Sequence, residues 1–226
     1  MTSAIPSPEA QPATRDESFS HVFTSALRGH PCHVVGLDEQ PQHLPVTNWL
    51  REPDADDEAL LALCEGPTID IGCGPGRLTA ALTRRGVHAV GTDISTEAVR
   101  QTRARGATAI RRDVFDSLPG TRTWRHVLLA DGDIGIGGDP VALLRRVAQL
   151  LHPHGTAHVE LSPTDVSRVH TGVRLRVAGR DTAPFAWAAV GPSAISDLAA
   201  AAGLHLVRLD RDAGRTVASL RPLARH

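Results

Sequence analysis

Thr68-Ile69-Asp70-Ile71-Gly72-Cys73-Gly74-Pro75-Gly76-Arg77-Leu78 decides the fold. Thr68 to Ile71 is a short, largely β-branched run of the kind that forms a buried strand. Glycines follow at 72, 74 and 76, and then a helical pattern that Gly86 closes. A strand that ends in glycines and passes straight into a helix aims the helix's free N–H groups at whatever lies beyond the strand. Glycine permits the tight turn and lets backbone approach a ligand closely. A GxGxxG nicotinamide fingerprint would want a third glycine at position 77, which is Arg77. The spacing is instead DxGxGxG, led by Asp70.

Outward from this turn the chain alternates. Val87-His-Ala-Val-Gly-Thr-Asp-Ile94 predicts a second strand, and the helix after it opens at Ser95 and closes at Gly106. Ala107–Asp113 and Arg125–Asp131 predict the third and fourth strands. A helix from Asp139 through His154 carries Pro140 at its first position, and Gly155–Ser162 predicts a fifth strand. Repeated strand–helix units with short connections imply a parallel sheet covered on both faces. The remainder predicts a β-hairpin over 171–191, a helix from Pro192 and a terminal hairpin. On the N-terminal side, residues 1–17 are expected to be a disordered tail. Residues 18–53 form an extension with an amphipathic helix at 18–28 and a hairpin of two strands, Cys32–Leu37 and His43–Trp49. Residues 54–226 are the main domain.

Composition narrows the chemistry. The chain has 226 residues and a net charge of −1, so no global basic field invites nucleic acid or an anionic membrane. All 24 basic residues are arginines and tyrosine is absent, which excludes a catalytic lysine or tyrosine. Cys32, Cys64 and Cys73 lie far apart with no CxxC pair, as befits a reducing cytoplasm. No stretch approaches a membrane span, and no signal peptide is visible. His30-Pro-Cys-His33 and His152-Pro-His154 lack partner ligands at zinc-like spacing, so no metal is expected and these histidines read as exposed loop residues.

The turn at 70–76 resembles that of class I S-adenosylmethionine-dependent methyltransferases of the Rossmann-like, small-molecule type. The resemblance continues at Gly91-Thr-Asp-Ile94, Arg112-Asp-Val-Phe115 and Ala130-Asp-Gly132, each at the end of a strand. It implies an α/β, doubly wound, mainly parallel seven-stranded sheet with a C-terminal antiparallel hairpin strand. An N-terminal extension and a β-hairpin insertion after the fifth strand complete that fold. It implies S-adenosyl-L-methionine as cofactor. Asp70, Gly72, Cys73, Gly74 and Gly76 would surround its methionine end, with Asp70 complementing positive charge. Asp93 would accept both ribose hydroxyls, Asp113 the adenine amino group, and the Val114 N–H would reach a ring nitrogen. Ile94, Val114 and Phe115 would enclose the adenine, with Ala130 and Asp131 completing the site.

The acceptor side is less specific. The run Asp131-Gly-Asp-Ile-Gly-Ile-Gly-Gly138 offers Asp131 and Asp133 to orient an acceptor or take its proton, and Asp139 reads as a helix cap. This run departs from the asparagine-proline-aromatic motif of many DNA and protein-amide methyltransferases, which argues against adenine-N6 or glutamine-amide methylation. The lack of a basic patch with interleaved aromatics leaves a small-molecule acceptor as the expectation. His170 is the candidate histidine base, and Glu160 sits where its strand could face the pocket. Arg168, Arg174 and Arg176 suit either an acidic acceptor or a solvated strand face. The alternatives are a nicotinamide-dependent oxidoreductase and a non-catalytic adenosylmethionine-binding module. Oligomeric state is left open.

Overall fold

The computed structural model describes residues 15–212 and 214–223. The expected tail therefore lies outside the described residues up to position 14. Helix α1 (Arg15–Leu27) leads into strands β1 (Cys32–Val35) and β2 (Gln42–Leu44) and the short helix α2 (Thr47–Leu50). The sequence reading carried β2 on to Trp49. Pro45, which has no N–H to give a ladder, ends it early and the chain turns helical instead. Helix α3 (Ala55–Leu61) is held by a capping box in which Asp54 and Asp57 accept each other's backbone N–H.

The alternation then runs as β3 (Thr68–Ile71), α4 (Arg77–Arg84), β4 (Ala89–Asp93), α5 (Thr96–Ala104), β5 (Thr108–Arg111) and β6 (Trp124–Leu129). A single 3-10 turn, Asp133–Gly135, precedes α6 (Pro140–Leu150) and β7 (Leu151–Leu161). The sequence reading extended α6 to His154. Pro153 disfavours helical backbone at the residue before it, so α6 stops at Leu150 and β7 begins at once with a register shift against β6. Strands β8 (Arg168–Val177), β9 (Arg180–Asp181) and β10 (Phe185–Ala189), helix α7 (Ile195–Ala201), and strands β11 (Leu204–Asp212) and β12 (Arg215–Pro222) complete the chain.

Seven strands form one sheet in the order β11-β12-β7-β6-β3-β4-β5. β3 through β7 pair in parallel, and β12 is antiparallel to both its neighbours. This is the doubly wound sheet implied by the resemblance. Its two faces are read off alternate residues of β6. Val127 and Leu129 pack with Leu143, Leu144, Val147 and Ile195 of α6 and α7. Leu128 packs with Leu60 and Leu61 of α3 and Leu78 and Leu82 of α4. Trp124, buried, begins β6.

The two hairpins expected separately are one object. β1 pairs antiparallel with β8, giving a second sheet of order β10-β8-β1-β2 with β9 on β8. Val22, Phe23, Ala26 and Leu27 of α1 share a buried cluster with Val173, Leu175 and Val177 of β8. Helical spacing puts these four α1 residues on one face, and each large apolar side chain so buried contributes roughly 1.5–3 kcal/mol.

Candidate active site

The site is built on the C-terminal ends of β3, β4, β5 and β6, where open α/β sheets bind ligands. Gly72, Gly74 and Gly76 all take positive φ. At Gly76 the reason is space as well as angle: a Cβ there would lie 2.6 Å from Thr102 Cγ2 and Oγ1 of α5. A Cβ at Gly72 would lie 2.5 Å from Asp133 Oδ2, so the Asp133 carboxylate rests directly over the turn. Cys73 is buried inside it, with Sγ 3.8 Å from Thr102 Oγ1, and burial pushes its thiol well above the ordinary range. That is a packing thiol rather than a nucleophile.

Five carboxyl groups, those of Asp70, Asp93, Asp113, Asp131 and Asp133, crowd this end of the sheet. Asp70 is buried and accepts the Thr79 hydroxyl at 2.6 Å. Burial raises its pKa to about 6 against that hydrogen bond, and the neighbouring Asp131 charge adds to the rise. Asp93 accepts the Gly74 N–H at 3.0 Å and the Ser95 N–H at 2.7 Å, yet burial still raises it to about 6. Asp133 has no side-chain hydrogen bond among the described residues. Burial, and then the charges of Asp131, Asp70, Asp93 and Glu160, push it well above the usual carboxylate range. Such a cluster favours a ligand that brings positive charge. Asp113, at the end of β5, accepts the Phe115 N–H at 2.9 Å, and Val114 beside it is buried.

Below the acids runs a network of ion pairs. The Arg77 guanidinium, almost wholly buried, donates to Asp57 on one side and Asp131 on the other. Arg51 and Arg215 also reach Asp57, at 2.6 and 2.7 Å. Burial alone would raise the Asp57 carboxyl, but Arg77, the Asp54 N–H and Arg51 outweigh it and hold it below its ordinary value. Arg215 continues to Glu160, whose carboxylate also accepts the Asp131 N–H at 2.7 Å. Asp131 itself takes a positive φ of 50°, a strained backbone for a non-glycine residue, and these contacts on both sides over-determine it.

The second sheet closes over these groups. A chamber of about 580 Å³ runs from Asp70, Gly72 and Asp93, past Asp113, Val114 and Phe115, to Phe19, Phe185 and Trp187. A recess of about 400 Å³ opens beside it and shares Trp49, Arg77, Asp131 and Trp187. The glycine-rich run after β6 allows this closure. A Cβ at Gly135 would collide with the Ala188 carbonyl and lie 2.6 Å from Trp187 Nε1.

Of the residues singled out from sequence, Asp70, Gly72, Cys73, Gly74, Asp93, Ile94, Asp113, Val114, Ala130, Asp131 and Asp133 line the chamber. Gly76 caps α4 behind them. Glu160 lines the recess. His170 is not brought in: it lies in β8 opposite Trp187 and lines neither space. Arg176 pairs with Asp181 on the exposed side of the second sheet. Arg77, Asp57, Arg51 and Arg215 went unnoticed as a group. Arg77 stands out in the sequence only as a departure from a glycine pattern, and its partners Asp57 and Asp131 lie 20 and 54 residues away.

Residues 69–155 match the family model described as a methyltransferase domain. No curated protein sequence matches the chain significantly. Among solved structures, an S-adenosylmethionine-dependent methyltransferase from Bacteroides fragilis, in complex with S-adenosyl-L-homocysteine, superposes with a TM-score of 0.77. It is 19% identical, over 95% of this chain and 98% of that one. A 1,6-didemethyltoxoflavin-N1-methyltransferase from Burkholderia thailandensis has a TM-score of 0.64 at 17% identity, over 97% and 94%. The CcbJ methyltransferase from Streptomyces caelestis has a TM-score of 0.60 at 20% identity, over 78% and 92%.

Proposed function

We propose that this chain, whose residues 69–155 match a methyltransferase domain, is a class I S-adenosylmethionine-dependent methyltransferase that methylates a small-molecule acceptor held beneath the second sheet. The observation that carries this reading is the single chamber with acids at one end and tryptophan and phenylalanine at the other. Its volume lies in the range of small-molecule pockets. The Burkholderia neighbour holds 1,6-didemethyltoxoflavin beside S-adenosylhomocysteine, which supports an acceptor of that size.

The residues present fit the cofactor. The glycine turn leaves room that a side chain at Gly72 would fill, and the unpartnered Asp133 carboxylate stands over it. When bound, the cofactor supplies an electrophilic methyl carbon on a positively charged sulfur. Asp70 and Asp133 complement the positive charge at that end. Asp93 keeps lone pairs free beyond its two backbone contacts and accepts from the ribose. Asp113 and the Val114 N–H read the adenine edge, with Ile94, Val114 and Phe115 along its faces. Arg77 and Arg215 hold Asp131 so that its backbone and carboxylate present a fixed rim to the acceptor. Asp133, with its raised pKa, is the carboxyl suited to take an acceptor proton. His170 has no role in this scheme. Residues 18–53 with β8 and β10 act as the cover over a main domain of 54–226. In-line alignment under that cover does most of the work.

Among the described residues no helix is long and apolar enough to cross a membrane. The three free, buried cysteines support the cytoplasm as the compartment. A direct test incubates the protein with methyl-labelled S-adenosylmethionine and fractionated cell extract. Label should enter the small-metabolite fraction with equimolar S-adenosylhomocysteine. Label confined to protein or RNA would overturn the small-molecule reading.

A further inference from the structure

The sheet face beneath α3 carries polar groups that methyl transfer does not use. His126 of β6 and His158 of β7 project from it, and the register that sets His126 opposite Thr156 and Leu128 opposite His158 makes them neighbours. His126 Nδ1 lies 3.1 Å from His158 Nε2, with ring planes 22° apart and centroids separated by 5.3 Å. Cys64 comes onto the same face from the turn after α3. Its Sγ and one nitrogen of each imidazole all lie within 4.8 Å of one another. Cys64 and His158 are buried and His126 is half-buried. None of the three lines the chamber or the recess.

We propose that Cys64, His126 and His158 form a binding site for one divalent transition metal of the zinc type. A thiolate and two imidazoles are the ligands that borderline-soft metals select, and three protein ligands leave a fourth position for water. The 3.1 Å separation of the two nitrogens suits two ligands on one tetrahedral ion with metal–nitrogen bonds of about 2.0–2.1 Å. A further contact orients one ligand. His158 Nδ1 lies 3.1 Å from Ser219 Oγ, so an Nδ1–H given to that hydroxyl turns the Nε2 lone pair toward the shared point. His126 then carries its proton on Nε2. Cys64 binds as thiolate, and its thiol proton passes to solvent, one per ion bound. The charges that reach His126 are those of Arg125, Glu65 and Arg221, and the Arg221 guanidinium is drawn to Thr156 Oγ1 at 3.1 Å. Positions 64, 126 and 158 share no local spacing, so the sequence gives no sign of the group. The ion would pin the turn after α3 to β6 and β7.

The test uses the full chain, untagged and stripped with a chelator, titrated with Co²⁺ and then Zn²⁺. One equivalent of Co²⁺ should develop a thiolate-to-cobalt charge-transfer band that Zn²⁺ bleaches, and Zn²⁺ should raise Tm. Cys64→Ser should abolish the band. Ser219→Ala should keep it while weakening Zn²⁺ affinity by roughly tenfold or more. Stabilisation of each variant by S-adenosylhomocysteine confirms that it is folded. His126→Gln, at the half-exposed edge, should also lose the band and serves if Cys64→Ser does not fold. No stoichiometric binding by the unsubstituted protein, or a band that survives in the folded Cys64→Ser or His126→Gln variant, overturns the proposal.

Discussion

Cofactor affinity should depend on pH in a way that the acid cluster fixes. Burial raises Asp70 and Asp93 to about 6 and Asp133 well above the ordinary range. The free protein therefore holds protons there that a cationic ligand must drive off. If these carboxylates hold S-adenosylmethionine in ionised form, as proposed, affinity rises with pH and falls as pH drops through 6. A carboxyl with a pKa of about 6 is about nine-tenths ionised at pH 7 and about one-tenth at pH 5. Each such group that must ionise weakens binding by about tenfold over that interval, and the two together by up to about a hundredfold. The groups interact, so the titration belongs to the cluster rather than to one residue. S-adenosylhomocysteine lacks the sulfonium charge and should show a shallower slope. Isothermal titration calorimetry at pH 5, 6 and 7, in buffers of different ionisation enthalpy, gives Kd and the protons released. A Kd that stays flat from pH 5 to 7 with no proton release would refute the reasoning. Asp133→Asn should flatten the slope while leaving binding at pH 7 measurable.

Three further outcomes follow from the packing. Arg77→Met strips Asp57 and Asp131 of a buried partner and should cost on the order of 3–5 kcal/mol in urea unfolding. Gly76→Ala combines a positive φ with a clash against Thr102 and should destabilise by more than Gly86→Ala. Gly86 has a similar φ with open space, so only the left-handed penalty of about 1 kcal/mol applies there. Trp187→Ala, once an acceptor is in hand, should lower kcat/KM by at least about tenfold through lost enclosure. S-adenosylhomocysteine affinity should change much less, and an equal loss in both would place Trp187 on the cofactor instead.

The sheet and its cofactor-facing edge were legible because they depend on short-range signals. Glycines at 72, 74 and 76 and aspartates closing successive strands are local patterns that a parallel α/β fold then brings to one edge. The start of α6 was readable from Asp139 and Pro140, but its end was not. The apolar spacing runs on into Leu150 and Leu151, and only the backbone restriction before Pro153 stops it. What stayed hidden was long-range. Arg77 finds Asp57 and Asp131, and Arg215 joins the same two carboxylates, only after separate elements have packed. No residue pattern in Cys32–Val35 announces that its partner is Arg174–Val177. His170 looked like a base by its type and its place near the insertion. Its strand's pairing with β10 carries it elsewhere.

The union of β1 with β8 sets how acceptor preference could be re-engineered. The strands that roof the chamber come from two stretches of chain about 140 residues apart, and the central ladder joins one to the other. Transplanting Arg168–Ala189 from a relative would leave β1 and β2 facing a foreign edge, while moving Cys32–Leu44 alone would do the same to β8. Both stretches, together with the α1 face that backs them, must travel as a unit. The glycine turn and the strand-end aspartates can stay behind unchanged. On the proposed function, a portable roof is thus separate from a fixed cofactor floor, and a chimera that respects that seam should keep S-adenosylhomocysteine affinity while exchanging the acceptor it methylates.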